Sequence, residues 1–313
     1  MTGVVLKGMT WSHPRGFDPM IACSTRWEDR TGVKVEWHKR SLQDFEMYPV
    51  EDLARAYDLI VIDHPHVGQI TEEKCLLPLE LSRHHAERIN LRLSSVGKSY
   101  PSYYWKGQQW ALPIDAAAQV QAYRPDKLSS PAATWNEVLE LARHRQVALP
   151  LRPPHSLMTL YTLYNNVSDT SADDGNGELL NIQTGALVFD VMREIAELID
   201  PKCLEMDPID VLEVMAQNDP SITCSPLIYG YVSYSVDGFR AGTVKFGNIA
   251  RCGNNGHGGS ALGGTGIAVS AFREKPDQAM DFAYWVASET CRGPFMPNQA
   301  ANRVMLSRGT MMP

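Results

Sequence analysis

One pattern narrows the possible folds more than any other: the N-terminal part of the chain alternates short apolar runs with amphipathic stretches. Residues 4–11 read as a strand, and Phe17, Met20, Ile21, Ser24 and Trp27 then recur at helical spacing until Gly32 supplies a stop. A second strand is expected over residues 33–37. Ser41-Leu-Gln-Asp44 resembles a helix capping box, and Asp58-Leu-Ile-Val-Ile-Asp63 reads as a third, fully buried strand. Such alternation predicts a mostly parallel sheet covered on both faces, because parallel strands need crossover helices. Ligands of such sheets sit beyond the carboxyl ends of the strands.

Those ends are rich in polar chemistry. Trp11-Ser-His-Pro-Arg15 follows the first strand, Lys39-Arg40-Ser41 the second and Asp63-His-Pro-His66 the third. Polar loops follow strands in every α/β protein, but three such loops converging on one rim make Trp11, Ser12, His13, Arg15, Ser41, Asp63, His64 and His66 candidates for ligand contact. His64 and His66 flank a proline, which constrains the backbone of their loop.

Downstream, two aromatic arms around Lys106-Gly107 predict a β-hairpin over residues 103–110, and residues 111–124 read as one long extended segment. Thr134-Trp-Asn-Glu137 has the pattern of a capping box opening a helix that ends near Arg145. A short strand over residues 147–151 and helices over 154–165 and 184–199 are expected next. Leu187, Val188, Val191, Ile195 and Leu198 form the core stripe of the last helix. His84 and His85 fall in a polar helix and read as surface residues.

Several functions are excluded by what surrounds the tempting motifs. No apolar run approaches the roughly 18 residues of a membrane span. Acidic residues outnumber basic ones by 36 to 29, and no Lys/Arg stripe suits a phosphate backbone, so nucleic acid is not an expected partner. The glycine-rich stretch over residues 253–266 mimics a phosphate loop but places glycine where the lysine must stand, and a strand follows instead of a helix. The aspartates of residues 169–174 lack the oxygen spacing and the glycine of a calcium loop. Cysteines at 23, 75, 203, 224, 252 and 291 show no redox or zinc spacing and read mostly as buried apolar residues. His13, His64, His66 and His155 could together hold a divalent ion, but their spacing does not demand one, and neither a metal nor a cofactor is expected.

Several segments, in order, resemble one family: the type II periplasmic-binding-protein fold and, within it, the sugar-type extracellular solute-binding proteins of ABC importers. Leu112-Pro-Ile-Asp115 through Ala122-Tyr-Arg124, followed by Ala133-Thr-Trp-Asn-Glu137, is similar to the family's crossing strand and the helix that opens its second lobe. Leu262-Gly-Gly-Thr-Gly-Ile-Ala-Val269 resembles the returning strand, and residues 276–288 resemble the next helix, with its Trp285-x-x-Ser288 ending. Asp58-Leu-Ile-Val-Ile-Asp63 resembles the third strand, whose exit loop faces ligand. Family members begin with a signal peptide or a lipoprotein cysteine, which this chain lacks, and run on past Arg303.

The resemblance implies two α/β lobes, each a mostly parallel sheet flanked by helices and joined by crossing hinge strands. Residues 1–114 with 262–313 would form lobe 1 and residues 115–261 lobe 2. It implies a monomer that closes by hinge motion on a polar small molecule, a carbohydrate or sugar derivative, and delivers it to an ABC transporter permease. By correspondence the cleft would also be lined by Asp115, His155, Ser156, Tyr229, Tyr231, Gly264 and Thr265. Tyr229 and Tyr231 match a segment where the family places a stacking aromatic, although packed strand aromatics would read the same way. Location is periplasmic or extracellular by resemblance, and cytoplasmic if the missing leader is native. Two alternatives stand beside this reading: an intracellular enzyme on the same fold, with Cys252 and His257 as nucleophile and base, and a ligand-sensing protein without transport.

Overall fold

The computed structural model describes residues 3–42, 44, 49–63, 67–167, 180–253 and 259–291. The chain divides into two compact units, one built from Met1–Ala116 and the segment that returns at Gly263, the other from Ala117–Leu262.

The first unit opens with β1 (Val5–Trp11), α1 (Pro14–Thr31) and β2 (Lys34–Arg40), followed by α2 (Val50–Ala56), β3 (Leu59–Asp63) and α3 (Val67–Glu72). Helix α1 starts where His13 accepts the Arg15 N–H and Pro14 needs no partner for its nitrogen, and it ends at Gly32. α4 (His85–Ser94) leads to a hairpin of β4 (Tyr104–Trp105) and β5 (Gln108–Gln109), and then to β6 (Leu112–Pro113). Lys106 and Gly107 both take positive φ, 48° and 84°, the conformation that a tight two-residue hairpin requires.

The chain then enters the second unit through β7 (Ala117–Tyr123). Residues 111–124 are therefore not one extended segment. The Ile114 and Asp115 N–H groups both donate to the Thr265 carbonyl, at 3.0 and 3.1 Å, which breaks the run between two sheets. α5 (Trp135–Arg143), α6 (His155–Val167), α7 (Ile182–Leu198) and α8 (Pro208–Met215) follow, then β8 (Cys224–Tyr229), β9 (Lys245–Gly247) and β10 (Leu262–Gly263). Strand β7 pairs antiparallel with both β8 and β9. The described ladders of this unit thus differ from the mostly parallel sheet expected for each lobe. Residues 147–151 explain part of the difference: they make a single parallel bridge, Val147 to Cys224, and Leu151 donates instead to the Cys203 carbonyl at 3.0 Å.

The core of the second unit gathers Val138, Leu149, Val188, Ile195, Leu212 and Ile228. Leu187, expected in the α7 stripe, is 57% exposed, one position off the face that Val188 and Ile195 bury. At α5, Thr134 accepts the Glu137 N–H at 3.4 Å, while the Glu137 carboxylate reaches Ala133 N, one residue short of a full capping box.

The chain returns as β11 (Thr265–Val269) and α9 (Pro276–Ala287). Strand β11 completes the first unit's sheet, ordered β2-β1-β3-β11-β6. β1 pairs parallel with β2 and β3, and β11 runs antiparallel to β3 and β6. Leu6, Met9, Leu59, Ile60, Ile267 and Phe282 fill its core. His84 is not simply a solvated surface residue: its ring stacks on Tyr284 at 4.2 Å and its Nε2 meets Asp281 at 2.7 Å.

Arg124, buried at the end of β7, donates through Nη1 to the Met215 and Gln217 carbonyls, each at 2.6 Å, and through Nε to Asp126 at 2.8 Å. It satisfies the open carbonyls at the end of α8. Arg124→Met should leave two carbonyls unpaired and lower the stability of the second unit by about 2–4 kcal/mol, read as an earlier transition in denaturant unfolding.

Candidate functional site

The strand register of the first unit decides which side chains meet. β1, β2, β3 and β6 end at Trp11, Arg40, Asp63 and Pro113, and Thr265, the first residue of antiparallel β11, pairs with Asp63. All these positions fall at one end of the sheet. Ser12 N donates to the Arg40 carbonyl at 2.7 Å, tying the first two loops together. The Trp11 ring lies over Gly16, where a Cβ would stand 2.3 Å from it.

Arg15 reaches from the first turn of α1 to Asp115 just beyond β6 and donates Nη2 to the Asp115 Oδ2. Both side chains are almost fully buried, 4% and 1% exposed. Asp115 Oδ1 and Thr265 Oγ1 are buried without a hydrogen-bond partner among the described residues. Asp63, half-buried beside them, has its carboxyl pushed up to about 7 by burial and then by the Asp115 charge, with Arg15 opposing. Tyr103 donates its hydroxyl toward the Gly264 and Ile62 carbonyls, at 3.2 and 3.4 Å. Burial, then Asp63 and Asp115, hold that phenol well above its ordinary range. Gly266 makes room for it, since a Cβ there would sit 2.8 Å from the Tyr103 ring, and Gly264, whose carbonyl Tyr103 meets, takes φ +106°.

The second unit carries a different polar constellation. Gln119 of β7 pairs in register with Tyr229 of β8. Its amide donates to Thr159 Oγ1 at 3.3 Å and its carbonyl oxygen accepts from Thr162 Oγ1 at 2.5 Å. Thr162 Oγ1 in turn accepts the Ala261 N–H at 2.9 Å, and Asn166 donates to the Thr162 and Gly259 carbonyls at 2.7 and 3.0 Å. His155, at the start of α6, meets Tyr229 edge to face at 6.3 Å. Burial and the nearby Arg152 charge lower its imidazole to about 4, so at neutral pH it is a neutral hydrogen-bonding group. The Tyr229 hydroxyl donates to the Leu262 carbonyl at 3.3 Å.

Among the sequence candidates, Trp11, Ser12, His13, Arg15, Asp63, Asp115, Gly264 and Thr265 share the rim of the first unit. Ser41, exposed, exchanges hydrogen bonds with Asp44, donating to its carboxylate at 2.8 Å and accepting its N–H at 3.1 Å. His155, Ser156 and Tyr229 share one region of the second unit, whereas Tyr231 is buried in its core. His64, His66, His257 and the loop of residues 169–174 lie outside the described residues. Sequence reasoning passed over Tyr103, Gln119, Thr159, Thr162 and Asn166. The last three repeat at helical spacing on an otherwise apolar face, a signal that was there to read. Among the described residues no cluster of three or more His, Cys, Asp or Glu could hold a metal ion. No helix among them is long and apolar enough to cross a membrane. Cys252 is buried and its thiol is pushed up to about 11 by that burial.

The sequence pattern of the bacterial extracellular solute-binding proteins matches residues 27–291, and the chain belongs to that family. No curated protein matches it in sequence. Its fold is similar to maltose-bound MalE3 of T. maritima, with TM-score 0.79 and 12% identity over 99% of this chain and 89% of that one. It is also similar to an ABC transporter solute-binding protein from Agrobacterium radiobacter K84 in complex with ribitol, with TM-score 0.77 and 19% identity over 95% and 79%. A D-mannitol-bound counterpart from Agrobacterium vitis S4 gives TM-score 0.70 and 14% identity over 94% and 76%. The two-lobed α/β solute-binding fold is thus the fold of this chain.

The folded protein holds the Asp63 proton more tightly than an unfolded chain would, whose aspartate titrates near about 4. This carboxyl therefore supports folding fully below about pH 4, and that support is lost as pH rises through about 7. Asp63→Asn should raise the melting temperature by several degrees at pH 8 and leave it nearly unchanged at pH 4, as measured by calorimetry across that range.

Proposed function

We propose that this protein captures a carbohydrate or polyol and hands it unaltered to an ABC transporter permease, on the extracytoplasmic side of the membrane. The observation that supports the ligand class is the pair of buried, unpartnered oxygens at the strand ends, Asp115 Oδ1 and Thr265 Oγ1, next to the half-buried Asp63. Buried polar atoms left without partners are costly. A polyhydroxylated neutral ligand offers each of them a hydrogen bond without bringing a charge that must be desolvated. Ribitol, maltose and D-mannitol, held by the solved proteins of this fold, have that chemistry. In the second unit, Tyr229, His155 and Ser156 are the candidate ligand groups, and a ligand shifts the population toward whichever state holds it more tightly. The protein acts as a receptor, with no bond of the ligand made or broken.

A thermal-shift and calorimetric screen against pentitols, hexitols, ketoses and maltodextrins tests this. One class should raise the melting temperature by a few degrees at about 100 times its dissociation constant, equivalent to about 2.7 kcal/mol, and be recovered with unchanged mass. Thr265→Val should then weaken binding by roughly tenfold to a hundredfold while leaving the unliganded melting temperature nearly intact. Turnover of the ligand, or silence across the panel with small carboxylates binding instead, would overturn the proposal.

A further inference from the structure

Cys23 and Cys291 are 268 positions apart in the sequence, yet their sulfurs approach to 3.0 Å. Cys23 lies on the buried face of α1. Cys291 stands just past α9, in a helical stretch that begins at Glu289, where Ser288 Oγ accepts the Cys291 N–H at 3.4 Å and donates to the Trp285 carbonyl at 2.6 Å. Both thiols are completely buried. The two segments are held together independently of the sulfurs, since Trp27 of α1 packs on Trp285 at 5.2 Å and on Phe282 at 5.9 Å. The approach of the sulfurs is therefore imposed by packing.

Two other thiols behave differently. Cys75 points at the Ile70 carbonyl at 3.6 Å and Cys224 at Gln121 Oε1 at 3.7 Å, as expected of small buried residues with a weak S–H donor. A sulfur facing a sulfur gains little as a hydrogen bond. It needs only about half an ångström of movement on each side to reach the roughly 2.05 Å of a covalent bond.

We propose that Cys23 and Cys291 are joined in the mature protein by a disulfide that locks α1 to the segment following α9. The step is a thiol–disulfide exchange with a disulfide-bearing oxidant, such as a dithiol oxidoreductase or oxidised glutathione. The two cysteines give up two protons and two electrons, one S–S bond forms between them, and the donor's S–S bond breaks to leave two thiols. Exchange requires a thiolate with access to the oxidant, and neither sulfur has access once the unit has packed. The mixed disulfide with the oxidant thus forms on one cysteine while it is still accessible, the second cysteine displaces the oxidant's thiol as α1 and α9 pack on each other, and the closed bond is then shielded from reductants. Extracellular proteins meet the oxidising conditions that the reaction needs. This modification is independent of which ligand the protein binds.

The test uses the full chain, refolded in a glutathione redox buffer and then denatured with excess N-ethylmaleimide and no reductant. Intact mass should show four adducts on the six cysteines, rising to six after reduction, and the proteolytic digest should contain a Cys23 peptide linked to a Cys291 peptide. The melting temperature should fall by several degrees when the protein is refolded in dithiothreitol. The double variant C23A/C291A should show no dependence on reductant. Six adducts on the oxidised chain, or a linkage to any other cysteine, would overturn the proposal, and the mass measurement decides even if the double variant does not fold.

Discussion

The ion pair between Arg15 and Asp115 is the interaction on which the rest of the candidate site depends. Asp115 is one residue from the end of the chain's first pass through the first unit, and Arg15 is in the opening turn of the first helix. Their contact pins the exit of one strand to the start of the helix that follows another. Burying both charges is costly and is tolerated only when geometry and further hydrogen bonds compensate. Here the backbone of Asp115 is itself anchored to the Thr265 carbonyl, so the carboxylate cannot drift from its partner.

The fixed pair adds to what burial does to its neighbours. Asp63 holds its proton into the neutral range because burial disfavours its charged form and, after that, because the Asp115 carboxylate stands beside it, with Arg15 opposing. Tyr103 spans the same rim and keeps its phenol neutral for the same reasons. The result is a cluster of oxygens in which some donate and others accept at one pH. A neutral polyhydroxylated molecule can satisfy such a mixed set, whereas a strongly charged ligand would face one mismatched partner at least.

Much of this was legible in the sequence where the signal was local. The alternation of apolar runs, the stop at Gly32, the Lys106-Gly107 turn and the helix opened by Thr134 all depend on residues close together in the chain. The rim loops were legible because strand ends in such sheets gather polar groups. The break near Asp115 was not, because it is made by a carbonyl at Thr265, on a strand that arrives much later. Leu187 faces solvent although it is as apolar as Val188; both fit within one wide apolar stripe, and only packing shows where its edge falls. The approach of Cys23 to Cys291 was invisible for the plainest reason: only the packed aromatic side chains of α1 and α9 bring them together.

The strand order of the first unit has a consequence for how the chain is made. β11 occupies an interior place between β3 and β6, yet it is synthesised after the whole second unit. Until then β3 and β6 present unpaired edges of apolar sequence, the kind of surface that invites wrong partners. Emergence from the ribosome therefore cannot complete this sheet segment by segment. The first unit of the chain to begin is the last able to finish, and the nascent polypeptide stays open through most of its own translation.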